Sequence, residues 1–249
     1  QVTLPTEGWR FTYIAIGLFC IVTMVPLTWL LRRRPPHMLA GATVNGASGL
    51  PPRQIDLSPR ALQILLAIAG LGCCVAMSMP QVHIVAYCVD LGYGVARGAE
   101  MLSLMLVGGI VSRLASGFLA DYIGGVKTLL LGSLLQCLAL MAYIPFDGLA
   151  SLYIVSLVFG LSQGGIVPSY AIIVREYLPA REAGQRVGIV IMATIVGMAV
   201  GGWMSGWIYD LTGSYAAAFL NGIAWNFLNI AIMVMILLRT GRGRAVRHA

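Results

Sequence analysis

The stretch Gly117-Phe118-Leu119-Ala120-Asp121-Tyr122-Ile123-Gly124-Gly125-Val126-Lys127 decides the fold, because it is a short connector between two apolar runs, 99–120 and 127–145. Each run is near the ~20 residues that an α-helix needs to cross the hydrocarbon core of a bilayer. A connector this short returns the chain on the side where it emerged, so the stretch reads as the tip of a transmembrane hairpin. Gly117 is placed to let a neighbouring helix approach, and Asp121 to accept from a facing helix amino terminus or a basic side chain. Two readings of Asp121 stand open: a latch that holds one conformation of the bundle, or a cap that solvates a helix end.

Working outward, five more runs have the same character, at 11–31, 60–86, 149–171, 187–209 and 215–238. The 249 residues are 59% hydrophobic and 10% charged, with mean hydropathy +0.86. A water-soluble fold carries roughly 25% charged residues to cover its surface, so the solvent for this chain is lipid. Seven spans and no strand pattern define an all-α, polytopic membrane helical bundle.

The net charge of +7 and pI near 9.4 do not describe a nucleic-acid binder. Such a surface needs a continuous basic face with stacking aromatics, and here the basic residues sit in short clusters between apolar runs. Their distribution sets topology instead. One set of alternate loops and ends holds Arg32, Arg33, Arg34, Arg53, Arg60, Lys127, Arg175, Arg181, Arg186, Arg239, Arg242, Arg244 and Arg247, whereas the other holds Arg10 and Arg97. Because Lys and Arg mark cytoplasmic loops, the expected orientation has the amino terminus outside and the carboxy terminus in the cytoplasm. The expected organisation is residues 1–31 as the end of an outer loop and a first helix, 32–59 as a Pro-, Gly- and Arg-rich cytoplasmic linker, 60–238 as a six-helix bundle, and 239–249 as a basic tail. The chain opens on Gln1 with no signal-peptide pattern, which reads as a truncated start.

Five cysteines, Cys20, Cys73, Cys74, Cys88 and Cys137, lie in or beside apolar runs, an odd number that does not suggest a disulfide framework. His37, His83 and His248 form no zinc-binding spacing. Neither a metal, a cofactor nor a catalytic constellation is expected, and the chain does not read as an enzyme.

The opening stretch resembles the loop signature G-x-L-A-D-x-x-G of the major facilitator superfamily, with Gly117, Asp121, Gly124 and Lys127 at the motif positions. That signature follows the second helix of each six-helix half, so the resemblance makes run 99–120 helix 8, run 11–31 helix 6, and 32–59 the central loop of a twelve-helix carrier working by alternating access. The stretch Arg175 to Arg186, with Pro179 and Gly184, and the later Tyr209-Asp210-Leu211-Thr212-Gly213 are similar to monocarboxylate-porter-like and oxalate/formate-like permeases. The spacings Gly197/Gly201 and Gly202/Gly206 are small-x-x-x-small faces for close helix packing. The run Pro80 to Tyr93 resembles the outer end of helix 7 in those permeases, and Pro80 is expected to break the helix there. Two readings stand: a discontinuous helix at the cavity, or a structural kink with Gln81 and His83 satisfied by neighbours.

Arg113 is the single basic residue inside a span. Its cost at membrane depth is about 2.5–3.5 kcal/mol on insertion scales, and such residues line a pathway or pair internally. It shares a helical face with Gly108, Gly109, Ser112, Ser116 and Gly117, which directs it into the bundle. The spacing Arg113-x-x-x-Gly117-x-x-Ala120 resembles helix 8 of monocarboxylate porters, where the resemblance implies an arginine that binds the substrate carboxylate. The aspartate commonly found there four residues earlier is Gly109 in this chain. The alternative is an arginine that snorkels or pairs with Asp121 in a gate. Gln63, Gln81, His83, Gln163, Tyr170 and Asn221 are further polar candidates for the cavity, each equally able to serve as an interhelical hydrogen bond.

The leading expectation is a secondary carrier of a bacterial inner membrane moving a small organic anion, a monocarboxylate by resemblance. A coupling proton is its second partner and the amino-terminal helices of the same protein its third. No acidic residue lies deep in any run, so coupling would reside upstream. The alternatives are a multidrug-type efflux carrier, consistent with twelve methionines, and from a different class a seven-helix receptor or membrane scaffold, neither of which needs the Gly117–Lys127 signature.

Overall fold

The computed structural model describes residues 4–30 and 55–245, in two compact units, Gln1–Thr43 and Val44–Ala249. The first unit holds α1 (Leu4–Leu30). Its apolar stretch Arg10–Trp29 is long enough to span a bilayer, and Thr23 and Thr28 return their hydroxyls to the carbonyls of Phe19 and Val25, both at 2.8 Å. That back-bonding is how a hydroxyl is satisfied in a helix with no water beside it. The linker expected at 32–59 falls mostly on residues outside those described, as does the end of the expected tail.

The second unit consists of α2 (Pro59–Asp90), α3 (Val95–Ile123), α4 (Gly125–Ala142), α5 (Leu149–Gln163), α6 (Ile166–Tyr177), α7 (Ala183–Thr212) and α8 (Tyr215–Ala245), with a 3₁₀ turn at Ala180–Glu182. Among the described residues seven segments, α5 and α6 counting as one, are long and apolar enough to cross a membrane. α8 continues beyond residue 238 into the segment expected as a tail. α2 is the central helix. It starts with Ser58 as amino-terminal cap and Pro59 at the first turn, where a missing N–H costs nothing, and it packs chiefly against α7 and α8. α3 pairs with α5, and α4 lies between α8 and the α5–α6 segment.

Glycine decides the closest crossings, because hydrocarbon supplies no hydrophobic drive between helices and contact must come from backbone proximity. A Cβ on Gly197 would sit 2.4 Å from the Leu71 carbonyl, and one on Gly201 2.2 Å from Ser78 Oγ. This half of the expected small-residue face packs onto α2. Gly202 and Gly206 meet only the side chains of Val82 and His83 at 3.4 Å, and Gly184 and Gly188 have nothing within 4 Å. The tightest contact between α3 and α5 comes from a face not singled out in the sequence, Gly160-x-x-x-Gly164, where added Cβ atoms would lie 2.4 Å from the Met105 carbonyl and 2.2 Å from that of Gly109.

Two expectations about helix continuity are corrected. α2 runs unbroken through Pro80: proline removes one hydrogen bond, but in a bundle its neighbours hold the remaining turns in place. The interruption lies instead within the run read as 149–171, at Gly164–Gly165 between α5 and α6. Both glycines press onto α3, with Gly165 facing Ser116. Two successive residues of poor helix propensity at the closest point of a crossing are where the ladder gives way.

The hairpin tip also differs from expectation. Gly117 has nothing within 4 Å of where its Cβ would be, so within the described residues it permits no close approach. The glycine the turn requires is Gly124, at φ +86° between α3 and α4, a conformation that L side chains rarely adopt. Gly125 is needed for space, since a Cβ there would meet Ile173 at 2.9 Å.

Candidate functional site

α2, α3 and the α5–α6 segment enclose a cleft of about 220 Å³, lined by Met77 and Gln81 of α2, Leu106, Gly109, Ile110 and Arg113 of α3, and Gln163, Gly164 and Val167 around the helix break. Three of the sequence candidates, Gln81, Arg113 and Gln163, therefore meet at one place. They arrive there for different reasons. Arg113 is carried by the α3 face whose Gly108, Gly109 and Ser112 are buried. Gln163 is the last residue of α5, immediately before the break. Gln81 stands one residue after Pro80.

The break gives Arg113 its protein contact. Nε of Arg113 donates to the Gly164 carbonyl at 3.3 Å, and Gly164 caps α5, the negative end of that helix. A guanidinium at a helix carboxy terminus satisfies carbonyls that have no intrahelical donor. The bond uses one of five N–H donors, and the Nη groups have no hydrogen-bond or ion-pair partner among the described residues. Arg113 is exposed rather than enclosed in the bundle as its helical face suggested, so the charge stands at the open side of the cleft. It forms no ion pair with Asp121.

The remaining wall is apolar except for the two glutamines. Nε2 of Gln81 donates to Oε1 of Gln163 at 2.7 Å, tying α2 to the end of α5. Gln163 is buried at 5% exposure.

The other sequence candidates are placed elsewhere. His83 lies on another face of α2, where its Nε2 donates to the Gly202 carbonyl of α7 at 3.0 Å. Tyr170 is fully buried and donates to Oδ1 of Asn229 at 2.8 Å, while Nδ2 of Asn229 donates to Oγ of Ser133 at 2.7 Å. That chain joins α6, α8 and α4 inside the unit. Asn221 of α8 is half-buried, its Nδ2 has no partner among the described residues, and it does not line the cleft. Gln63 accepts from Nη1 of Arg186 at 2.6 Å, which ties the starts of α2 and α7.

At the hairpin tip, Asp121 and Lys127 are exposed and make no ion pair or hydrogen bond among the described residues. The carboxylate that receives the helix end is Glu176, whose Oε1 and Oε2 accept from the Gly125 N–H at 3.2 and 3.4 Å. An acidic group at the first turn of α4 complements the helix dipole. Sequence reading missed this residue, since its partner is 51 positions away.

Among the described residues, seven helical segments long and apolar enough to cross a membrane, with glycine-mediated crossings and a cleft beside one interrupted segment, define the class, an all-α polytopic membrane protein. The chain belongs to the Major Facilitator Superfamily, whose family model matches residues 4–149 and again 99–248. It is similar to monocarboxylate transporter 13 of Rattus norvegicus, 30% identical over 64% of this chain and 37% of that protein. It is also similar to monocarboxylate transporter 11 of Mus musculus, 29% identical over 88% of this chain and 51% of that protein. Both are named as transporters, not enzymes, and this chain spans about half their length or less. The crystal structure of the E. coli fucose:proton symporter FucP superposes with TM-score 0.63 at 16% identity, over 94% of this chain and 55% of that one. This likeness shows the fold.

Proposed function

We propose that this chain forms one wall of the substrate pathway in a secondary carrier that moves a small organic anion by alternating access, with Arg113 gripping the carboxylate. One observation carries the reading. An arginine with free Nη groups stands on a small, otherwise mainly apolar cleft, and a guanidinium can hold both oxygens of a carboxylate at once. The names of the two mammalian relatives support a monocarboxylate, with a proton as the coupling ion to test first. The test is uptake by proteoliposomes of the intact parent over a panel of labelled short carboxylates and amphiphilic cations. Saturable uptake of an acid supports the reading, whereas uptake restricted to cations overturns it.

The orientation belongs to the same proposal, with the connection at Arg181 on the cytoplasmic side of the membrane and that at Asp147 outside. In a background lacking the native cysteines, Arg181→Cys is expected to react with a membrane-impermeant thiol reagent only after the membrane is opened, and Asp147→Cys in intact cells. The thirteen-to-two charge asymmetry predicts this, and the reverse labelling pattern would contradict it.

A further inference from the structure

The Gln81–Gln163 pair has capacity the fold does not use. Whichever way round each amide is assigned, one donates and the other accepts, so a single bond between two amides always leaves one carbonyl oxygen and one NH₂ group over. With Nε2 of Gln81 donating to Oε1 of Gln163 at 2.7 Å, the remainder is the Gln81 oxygen and the Gln163 nitrogen, neither hydrogen-bonded among the described residues. Both residues line the cleft that Arg113 lines. Gln163 as a whole is 5% exposed, yet neither its Nε2 nor the Gln81 oxygen is among the buried atoms left without a partner, so both open onto the cleft. Among Met77, Leu106, Ile110 and Val167, a solute that displaces water from this donor and acceptor must replace the hydrogen bonds it removes.

Resting on the anion reading above, we propose that Gln81 and Gln163 form a second, neutral subsite that selects organic acids carrying a hydrogen-bonding group, such as a hydroxyl, carbonyl or amide, at the end remote from the carboxylate. Arg113 takes the charge, and the glutamine pair reads the other end, offering an acceptor to a substrate donor and a donor to a substrate acceptor. A plain aliphatic acid fills the same volume but leaves both amides unmatched, so it binds more weakly. Buried polar groups left unpaired are what make such a site reject the analogue that lacks the partner.

The experiment measures binding of a short aliphatic acid and of its terminally hydroxylated analogue to the purified intact parent. Wild type is expected to prefer the hydroxylated acid by about tenfold. Gln81→Leu and Gln163→Leu are each expected to remove that preference, with the hydroxylated acid losing affinity relative to the plain acid. Gln81→Asn, which keeps an amide but withdraws it, guards against a variant that fails to fold and is expected to show a reduced preference. Arg113→Gln should weaken both acids and leave their ratio unchanged. Equal affinity of the two acids for wild type overturns this inference alone, as does an unchanged ratio in the glutamine variants. Loss of the plain acid in the leucine and asparagine variants alike would make the pair a structural tie and overturn it too. If neither acid binds, the anion reading fails and this inference fails with it.

Discussion

Gly160→Val is expected to yield little or no monodisperse protein and a melting temperature far below wild type, the largest stability effect of any single substitution considered. The added Cβ alone would lie 2.4 Å from the Met105 carbonyl and 2.8 Å from its Cα, and these are backbone atoms that cannot rotate away. Overpacking of a dense interior costs about 1–3 kcal/mol when side chains can adjust. Here α3 and α5 must separate, so the cost is at least about 3 kcal/mol. Separation would also pull Arg113 from the Gly164 carbonyl and open the cleft. The contrast is Gly117→Ala, where nothing lies within 4 Å. It should leave the melting temperature unchanged or raise it slightly, since alanine is up to about 1 kcal/mol better than glycine within a helix. Size-exclusion profiles and thermal unfolding of the two variants side by side check both expectations.

Arg113→Gln is expected to weaken binding of a transported acid by about 2–4 kcal/mol, by analogy with broken charged pairs in other complexes, which is roughly 30- to 700-fold in affinity. The uncharged amide of the same acid should lose much less. The variant has a second effect that the comparison removes. Loss of the Arg113 bond to the Gly164 carbonyl leaves a helix end less well satisfied, at about 1 kcal/mol, but acid and amide feel that equally. Arg113→Lys keeps the charge and loses the planar fork, so it should fall between wild type and Arg113→Gln for the acid. Equal losses for acid and amide would assign Arg113 to the helix break and not to a ligand.

The spans were legible in the sequence because a run of about 20 apolar residues has few other uses, and Arg113 was legible because a lone charge in such a run needs a reason. What the sequence could not supply was which neighbour each face meets. Gln81 and His83 are two residues apart on α2, yet one lines the cleft and the other bonds to α7. Tyr170 and Gln163 flank the same break, yet one is tied to Asn229 in the interior. Polar residues on apolar helices look alike until the packing partners are known.

Helix continuity failed for a related reason. Pro80 carries the stronger breaking signal, but a bundle holds a proline-containing helix together from outside. Gly164–Gly165 carries a weaker signal, and there the neighbouring backbone of α3 is close enough to matter. The Gly160-x-x-x-Gly164 spacing is as plain in the sequence as Gly117, but only the packing distinguishes a glycine pressed on backbone from one with nothing within 4 Å. The motif Gly117–Lys127 identified the family, although its Asp121 makes no contact among the described residues and the helix end beside it is received by Glu176.

The central claim is that the cleft between α2, α3 and the α5–α6 break is where the anion sits. Val167 lines that cleft and is partly exposed, so a thiol placed there reports occupancy directly. In the intact parent without its native cysteines, Val167→Cys should be labelled by a small thiol reagent, and a saturating transported acid should slow the labelling at least severalfold while its amide at the same concentration protects much less. Adding Arg113→Gln should abolish the protection. Labelling that proceeds at the same rate with and without the acid, under conditions where the acid is transported, would place the substrate elsewhere and contradict the account.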